Sequence, residues 1–269
     1  MAARTKVFRE VNVSVNGALR RAQDGAQASA GPASRARAAG RGPAIWLAGD
    51  PADLKQWMQY GAAGIVTNTV VLNDMVKKYG QVIDLIKRYL DITDRQVVVE
   101  IDGHSTEELL EVGEVFTRMS KQVVLKVPCT VHGLGAFRAL SQAGVETMCT
   151  TVFSLPQAAA VAQAGATHVL PFCEPFKAVG GDPTQLVREC VAMFRGWEQR
   201  PLITAALVRS TETAHAALRD GADGIIVFWH VYRDMVQNHL TDEWNKTFLD
   251  NWDQMHAAGQ LKGVPVKGR

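Results

Sequence analysis

Long apolar runs are missing from this chain. No uninterrupted stretch approaches the roughly 18 residues that a membrane-spanning helix needs, so the reading carries no membrane partner. Cysteine is scarce: Cys129, Cys149, Cys173 and Cys190 form no CxxC pair. They speak for reduced, mostly buried thiols in a cytoplasmic setting. A GxGxxG turn is absent, which weighs against a doubly wound nucleotide-binding sheet. Acidic residues are few in the first 41 positions, where eight arginines and lysines face only Glu10 and Asp24. That basic stretch lacks the apolar centre of a secretory signal and the aromatic interleaving of a single-strand binder. It reads as a solvated extension ending in an Ala/Gly/Ser/Arg-rich linker, with no nucleic-acid partner called for.

What is present is an ordinary globular composition, 47% apolar and 21% charged over 269 residues. One barrel of eight strands and eight helices takes about 250 residues. From position 45 onward, short apolar runs alternate with longer amphipathic stretches. The runs fall at 45–47, 64–66, 97–101, 123–127, 146–151, 168–172, 202–206 and 224–228. Helical spacing covers 53–60, 72–89, 105–119, 131–143, 155–164, 184–198 and 211–219. Gly61, Gly144, Gly165 and Gly221 stand where helices end, as left-handed caps do. Strand–helix alternation with parallel strands means right-handed crossovers. The fold class expected is therefore α/β, a (β/α)₈ TIM barrel over residues 44–240. Residues 1–43 form the extension and 241–269 a C-terminal helix and tail. That helix sets Trp244, Phe248, Leu249, Trp252 and Met255 at helical spacing, an aromatic stripe suited either to its own barrel or to a neighbouring subunit.

In such a barrel the reactive groups sit at the carboxyl ends of the strands. Lys126 lies in the apolar run Val123-Val124-Leu125-Lys126-Val127-Pro128. Burial favours the neutral amine, the form that attacks a carbonyl to make a Schiff base. Glu100 from the third strand is the matching acid–base group, and Thr150 from the fifth a hydroxyl to hold a relaying water. Other polar or aromatic groups at strand ends are Thr67, Asn68, Phe172, Glu174, Arg209 and His230, the candidate substrate-binding residues. Each has a plainer alternative: Glu100 as an ion-pair partner, Thr150 as a helix cap, His230 as a structural histidine. No metal or cofactor is called for. A phosphate-binding isomerase or decarboxylase barrel would need glycines after strands seven or eight, and Leu207-Val208-Arg209-Ser210 and Trp229-His230-Val231 contain none.

The segment VVLKVPCTVHGLGAFRALSQAGVETMCTTVF resembles the core of the transaldolase family, in the short form that includes fructose-6-phosphate aldolase. Lys126, Pro128, Thr130, Gly133, Leu134 and Thr150 carry the likeness. GIVTNTVVL is similar to the family's second-strand motif, with Thr69 in place of its proline. The resemblance implies a lysine imine with a ketose, cleavage between C3 and C4, and transfer of a dihydroxyacetone unit to an aldehyde or its release by water. Lys126 matches the imine-forming residue and Thr150 the threonine that holds water. Glu100 and Phe172 match transaldolases rather than the aldolases. The partners implied are a ketose and an aldehyde, with or without phosphate, and a ring-like homo-oligomer such as a decamer, with a place in carbohydrate metabolism.

Three positions depart from the family pattern. Ala48 stands where the first strand carries an aspartate, with Asp50 two residues on as a replacement or a helix cap. Pro175 replaces an arginine and Leu207 a serine of the phosphate site, while Arg209 keeps a cation. Two possibilities stay open: a substrate without the terminal phosphate, or contacts from His230 or Lys177. The missing aspartate also leaves open a catalytically impaired barrel that serves as a ligand-binding or assembly protein.

Overall fold

The computed structural model describes residues 42–264. The basic extension read from positions 1–41 lies outside the described residues. Eight parallel strands close into a barrel in chain order: β1 (Ala44–Ala48), β2 (Gly64–Val66), β3 (Gln96–Glu100), β4 (Val123–Pro128), β5 (Thr147–Val152), β6 (His168–Pro171), β7 (Leu202–Val208) and β8 (Gly224–Phe228). All eight lie where the apolar runs place them. The registers pair even with even residues around the barrel, as in Glu100 with Lys126 and Lys126 with Met148. One parity points inward, where Trp46, Val66, Val98, Val124, Met148, Leu170 and Ala206 form one apolar cluster. The other parity faces the helices, and Leu47, Ile65, Val97, Leu125, Val169 and Ile225 are fully buried there. Both faces are covered, which is why the strands read as apolar runs rather than as alternation.

Trp46 is the largest side chain of the inner cluster, and Gly64 makes room for it. A Cβ at Gly64 would lie 2.6 Å from Trp46 Cζ3 and 2.3 Å from the Gln96 carbonyl oxygen. At the same end of the barrel, Gln96 and His168 both meet the Glu146 carboxylate, and His168 Nδ1 lies 3.2 Å from Thr204 Oγ1. These polar groups close the floor beneath the apolar layer.

The helices are α1 (Pro51–Trp57), α2 (Thr69–Tyr79), α3 (Val82–Asp91), α4 (Thr106–Thr117), α5 (Val131–Gln142), α6 (Leu155–Ala164), α7 (Glu174–Ala178), α8 (Gln185–Phe194) and α9 (Thr211–Arg219). A polar N-cap directly follows many of the strands. Asn68, Ser105, Thr130, Ser154 and Ser210 each accept a backbone N–H three residues on. Such caps fix where each helix starts and therefore where each strand-end side chain sits. Gly61, Gly144, Gly165 and Gly221 all have positive φ, as expected of helix-ending glycines.

The structure corrects two helical boundaries. The run 72–89 is two helices, α2 and α3, because Gly80 takes φ 88° and ψ −131° and breaks the ladder. The helix α7, at five residues, is too short to leave a 3.6-residue period in the sequence.

The described chain divides into two compact units, the first ending at Trp229 and the second starting at His230. The second holds α11 (His239–Ala257) and all but the first residue of α10 (Trp229–Val236). No residue of α11 is buried, and Trp244 and Phe248 are 59% and 63% exposed with their rings 5.7 Å apart. Among the described residues no helix is long and apolar enough to cross a membrane.

Candidate active site

Lys126 is carried inward by β4, with the register pairing it to Glu100 on one side and to Met148 on the other. It is 5% exposed. Its Nζ donates to Glu100 Oε2 in a close ion pair and lies 3.5 Å from Thr150 Oγ1. The three residues nominated for imine chemistry thus converge from three adjacent strands. Thr150 is 1% exposed and does not cap the following helix; Ser154 does. Glu100 does pair with Lys126, and the pair is buried on both sides.

The electrostatics follow from that burial. Removal from water penalises the ammonium and lowers the Lys126 pKa, against the opposing pull of the Glu100 carboxylate. The same burial raises the Glu100 pKa, against Lys126 and the Thr69 backbone amide. Both groups shift toward neutrality: Lys126 gives up its proton more readily and Glu100 holds one more readily. An amine in this state is a usable nucleophile and its partner a usable proton carrier.

Supporting contacts set this geometry. The Thr67 hydroxyl donates to the Val98 carbonyl and accepts the Glu100 backbone N–H, both at 3.1 Å. Thr67 therefore positions Glu100 at the end of β3. Asn68 gives its side-chain oxygen to the Val71 amide as the cap of α2. At the end of β4, the Thr130 hydroxyl accepts from Gly133, and a Cβ on Gly133 would lie 2.2 Å from the Pro128 carbonyl oxygen. Only glycine lets α5 approach the β4 end this closely.

β5 carries a bulge just past Thr150. Its register shifts between Cys149 and Val152, and Thr151 takes φ 58°. A β-branched residue in the left-handed region is strained, and the structure holds it with a hydrogen bond from the Cys129 amide to Thr151 Oγ1. The extra residue leaves Val152 fully buried and brings Phe153 edge-on to Phe172, with ring centroids 5.2 Å apart. Phe153 was not among the residues nominated from sequence, since only the bulge brings it to the mouth. A second bulge ends β7, with Leu207 at φ 53°.

The remaining nominated residues fall as follows. Phe172 packs on the inner apolar cluster at the end of β6. Glu174 opens α7, and its Oε2 is buried without a hydrogen-bond partner among the described residues. Arg209 is exposed after β7, and His230 is exposed in the second unit. Ala48, 5% exposed at the end of β1, presents only a methyl group. Asp50 is a helix cap: its carboxylate accepts from the Ala52 amide, Lys78 Nζ and the Tyr79 hydroxyl. Burial works against its charge, but those hydrogen bonds hold its pKa below the usual carboxylate range. Among the described residues no three His, Cys, Asp or Glu side chains gather as a metal cage.

A family model described as Transaldolase/Fructose-6-phosphate aldolase matches residues 63–258. Three curated relatives bear the name "Probable transaldolase". The one from Thermoplasma volcanium is 30% identical over 213 residues, covering 78% of this chain and 94% of the relative. That from Thermoplasma acidophilum is 31% identical over 201 residues, covering 74% and 89%. That from Porphyromonas gingivalis is 30% identical over 207 residues, covering 75% and 94%. The family-model match runs from β2 through β8 and includes every strand end that bears a nominated residue. This chain belongs to the transaldolase/fructose-6-phosphate aldolase family, as a divergent member with activity of the transaldolase or aldolase type.

Proposed function

We propose that the protein is a Schiff-base enzyme that cleaves a ketose between C3 and C4 and passes on a dihydroxyacetone unit. The observation that carries this reading is the buried Lys126, hydrogen-bonded to Glu100 and within 3.5 Å of the Thr150 hydroxyl. The neutral Lys126 amine adds to the C2 carbonyl, and the carbinolamine loses its hydroxyl as water, leaving an iminium. Glu100 supplies the proton for that loss. Removal of the C4 hydroxyl proton then lets the C3–C4 electron pair move into the iminium. An aldehyde departs and an enamine remains on Lys126. The enamine either adds to an acceptor aldehyde, whose new alkoxide takes back the C4 proton, or is protonated at C3; in both branches the water Thr150 holds then hydrolyses the iminium and frees Lys126. Asp50 is engaged as a cap, and the other stand-in, Glu174, takes the C4 hydroxyl proton. Thr67, Asn68, Phe172 and Arg209 complete the substrate-binding set of the first unit.

Borohydride reduction in the presence of fructose, dihydroxyacetone or fructose 6-phosphate tests the imine. A mass increase on the peptide containing Lys126 is expected, absent in Lys126→Met. A panel of ketoses giving no adduct refutes the reading. Ala48 favours a second reading, an impaired barrel that binds ligand or assembles without turnover. Under it, Lys126→Met leaves function unchanged.

The apolar face of α11 supports self-association. Trp244, Phe248, Leu249, Trp252 and Met255 are too large an exposed apolar patch for an ordinary monomer surface. Light scattering should give a multiple of the 29.3 kDa chain mass, and Trp244→Ser with Phe248→Ser should reduce it. A monomer in the unmodified protein rules this out.

A further inference from the structure

The mouth of the barrel is unevenly equipped. At the ends of β5 and β6, Phe153, Phe172 and Phe176 form an aromatic cluster, with Phe153 at 5.2 Å from Phe172 and 6.3 Å from Phe176. Phe172 stands on the barrel's inner apolar cluster and Phe153 is 42% exposed, so the cluster runs from core to surface. At the same strand end lies Glu174, whose Oε2 is buried without a donor among the described residues. A buried acceptor in that state calls for a hydroxyl or an N–H.

The charges in this sector do not suit a phosphate. After β6 the chain places Glu174 and Lys177; after β7 it places Arg209 and Glu212. The two signs balance, and Lys177 acts on the Glu212 carboxylate. A phosphate dianion wants several convergent cationic or N–H donors. A neutral sugar wants the reverse: an aromatic surface against its C–H face and acceptors for its hydroxyls.

We propose that the ends of β5, β6 and β7 select an unphosphorylated sugar, with the Phe153–Phe172–Phe176 cluster against its C–H face and Glu174 Oε2 accepting a sugar hydroxyl. The family's description names a sugar phosphate, so this is a departure in substrate class. It rests on the Schiff-base reading for the identity of the mouth as the substrate site.

Titration calorimetry on Lys126→Met, which binds without turning over, separates the two ideas. Fructose should bind more tightly than fructose 6-phosphate, and adding Glu174→Gln should narrow the gap by roughly tenfold, because it removes the charge and keeps an amide. Phe153→Ser, at an exposed position in the otherwise natural chain, should raise the fructose concentration needed for half-maximal borohydride labelling roughly tenfold. Tighter binding of fructose 6-phosphate, competition by inorganic phosphate, or binding of neither ketose overturns the proposal. Failure of the imine reading appears elsewhere, as the absence of any borohydride adduct on Lys126 in the natural protein.

Discussion

Replacing Lys126 by methionine separates stability from chemistry. The side chains have similar volume, and the site is nearly dry: Lys126 is 6% and Glu100 9% exposed at the side chain. Methionine removes the charge that compensates Glu100 and leaves a buried carboxylate. Breaking one side of a buried pair typically costs about 3–5 kcal/mol. Glu100 has a second route, because it can take up a proton. Its folded pKa already lies above the ordinary 4.5 through burial, and loss of Lys126 raises it further. A carboxyl with a raised folded pKa loses stability as pH rises from the unfolded value toward the folded one. The penalty in Lys126→Met should therefore be small near pH 4.5 and grow with pH. The slope is at most about 1.4 kcal/mol per pH unit, so the difference between pH 5 and pH 7 is bounded at about 3 kcal/mol. Adding Glu100→Gln removes both charges. The neutral amide leaves no buried charge, so the double variant should be more stable than Lys126→Met at pH 7. Urea unfolding of both variants across pH 5–8, with activity measured in parallel, reads the result. The reasoning fails if Lys126→Met shows a pH-independent stability difference, or if the double variant is less stable than the single one.

Three further outcomes are expected. The alkaline rise in activity should have its midpoint below the ordinary lysine value of 10.5, because burial lowers the Lys126 pKa. Glu100→Gln should shift that midpoint lower still, since the carboxylate opposes the shift, and should reduce kcat by about 10²–10⁴-fold; an unmoved midpoint refutes the coupling. Of the four thiols, only Cys129 is held low, by its hydrogen bond with Cys149, while burial pushes Cys173 and Cys190 up to about 12 and Cys149 well above the ordinary value. Ellman's reagent on the native protein should therefore titrate one fast thiol, and Cys129→Ser should abolish it; a fast phase surviving that change assigns the reactivity elsewhere. Gly64→Ala should destabilise by about 1–3 kcal/mol or more in urea unfolding, because its Cβ meets Trp46 and the backbone of β3. Pairing it with a smaller residue at Trp46 should not restore the loss, since the carbonyl clash at 2.3 Å remains.

Much of this molecule was legible before any coordinates. The strands were readable because a parallel barrel covers both faces, which leaves unbroken apolar runs punctuated by capping residues. Lys126 stood out for the same reason: a lysine within such a run has no water to reach. The sequence alone determined eight strands closing as a barrel and set Lys126, Glu100 and Thr150 on neighbouring strands. Only the tertiary structure decided what depends on local backbone exceptions and on long-range packing. The bulge at Thr151 brings Phe153 to the mouth, and a positive φ at a threonine leaves no trace in composition. Asp50, a cap through the Ala52 amide, is further occupied by Lys78 and Tyr79, 28 and 29 residues away. Glu174 Oε2 became informative only when its surroundings showed no donor among the described residues. Periodicity reports which face a residue occupies; it carries no record of which distant group that residue meets.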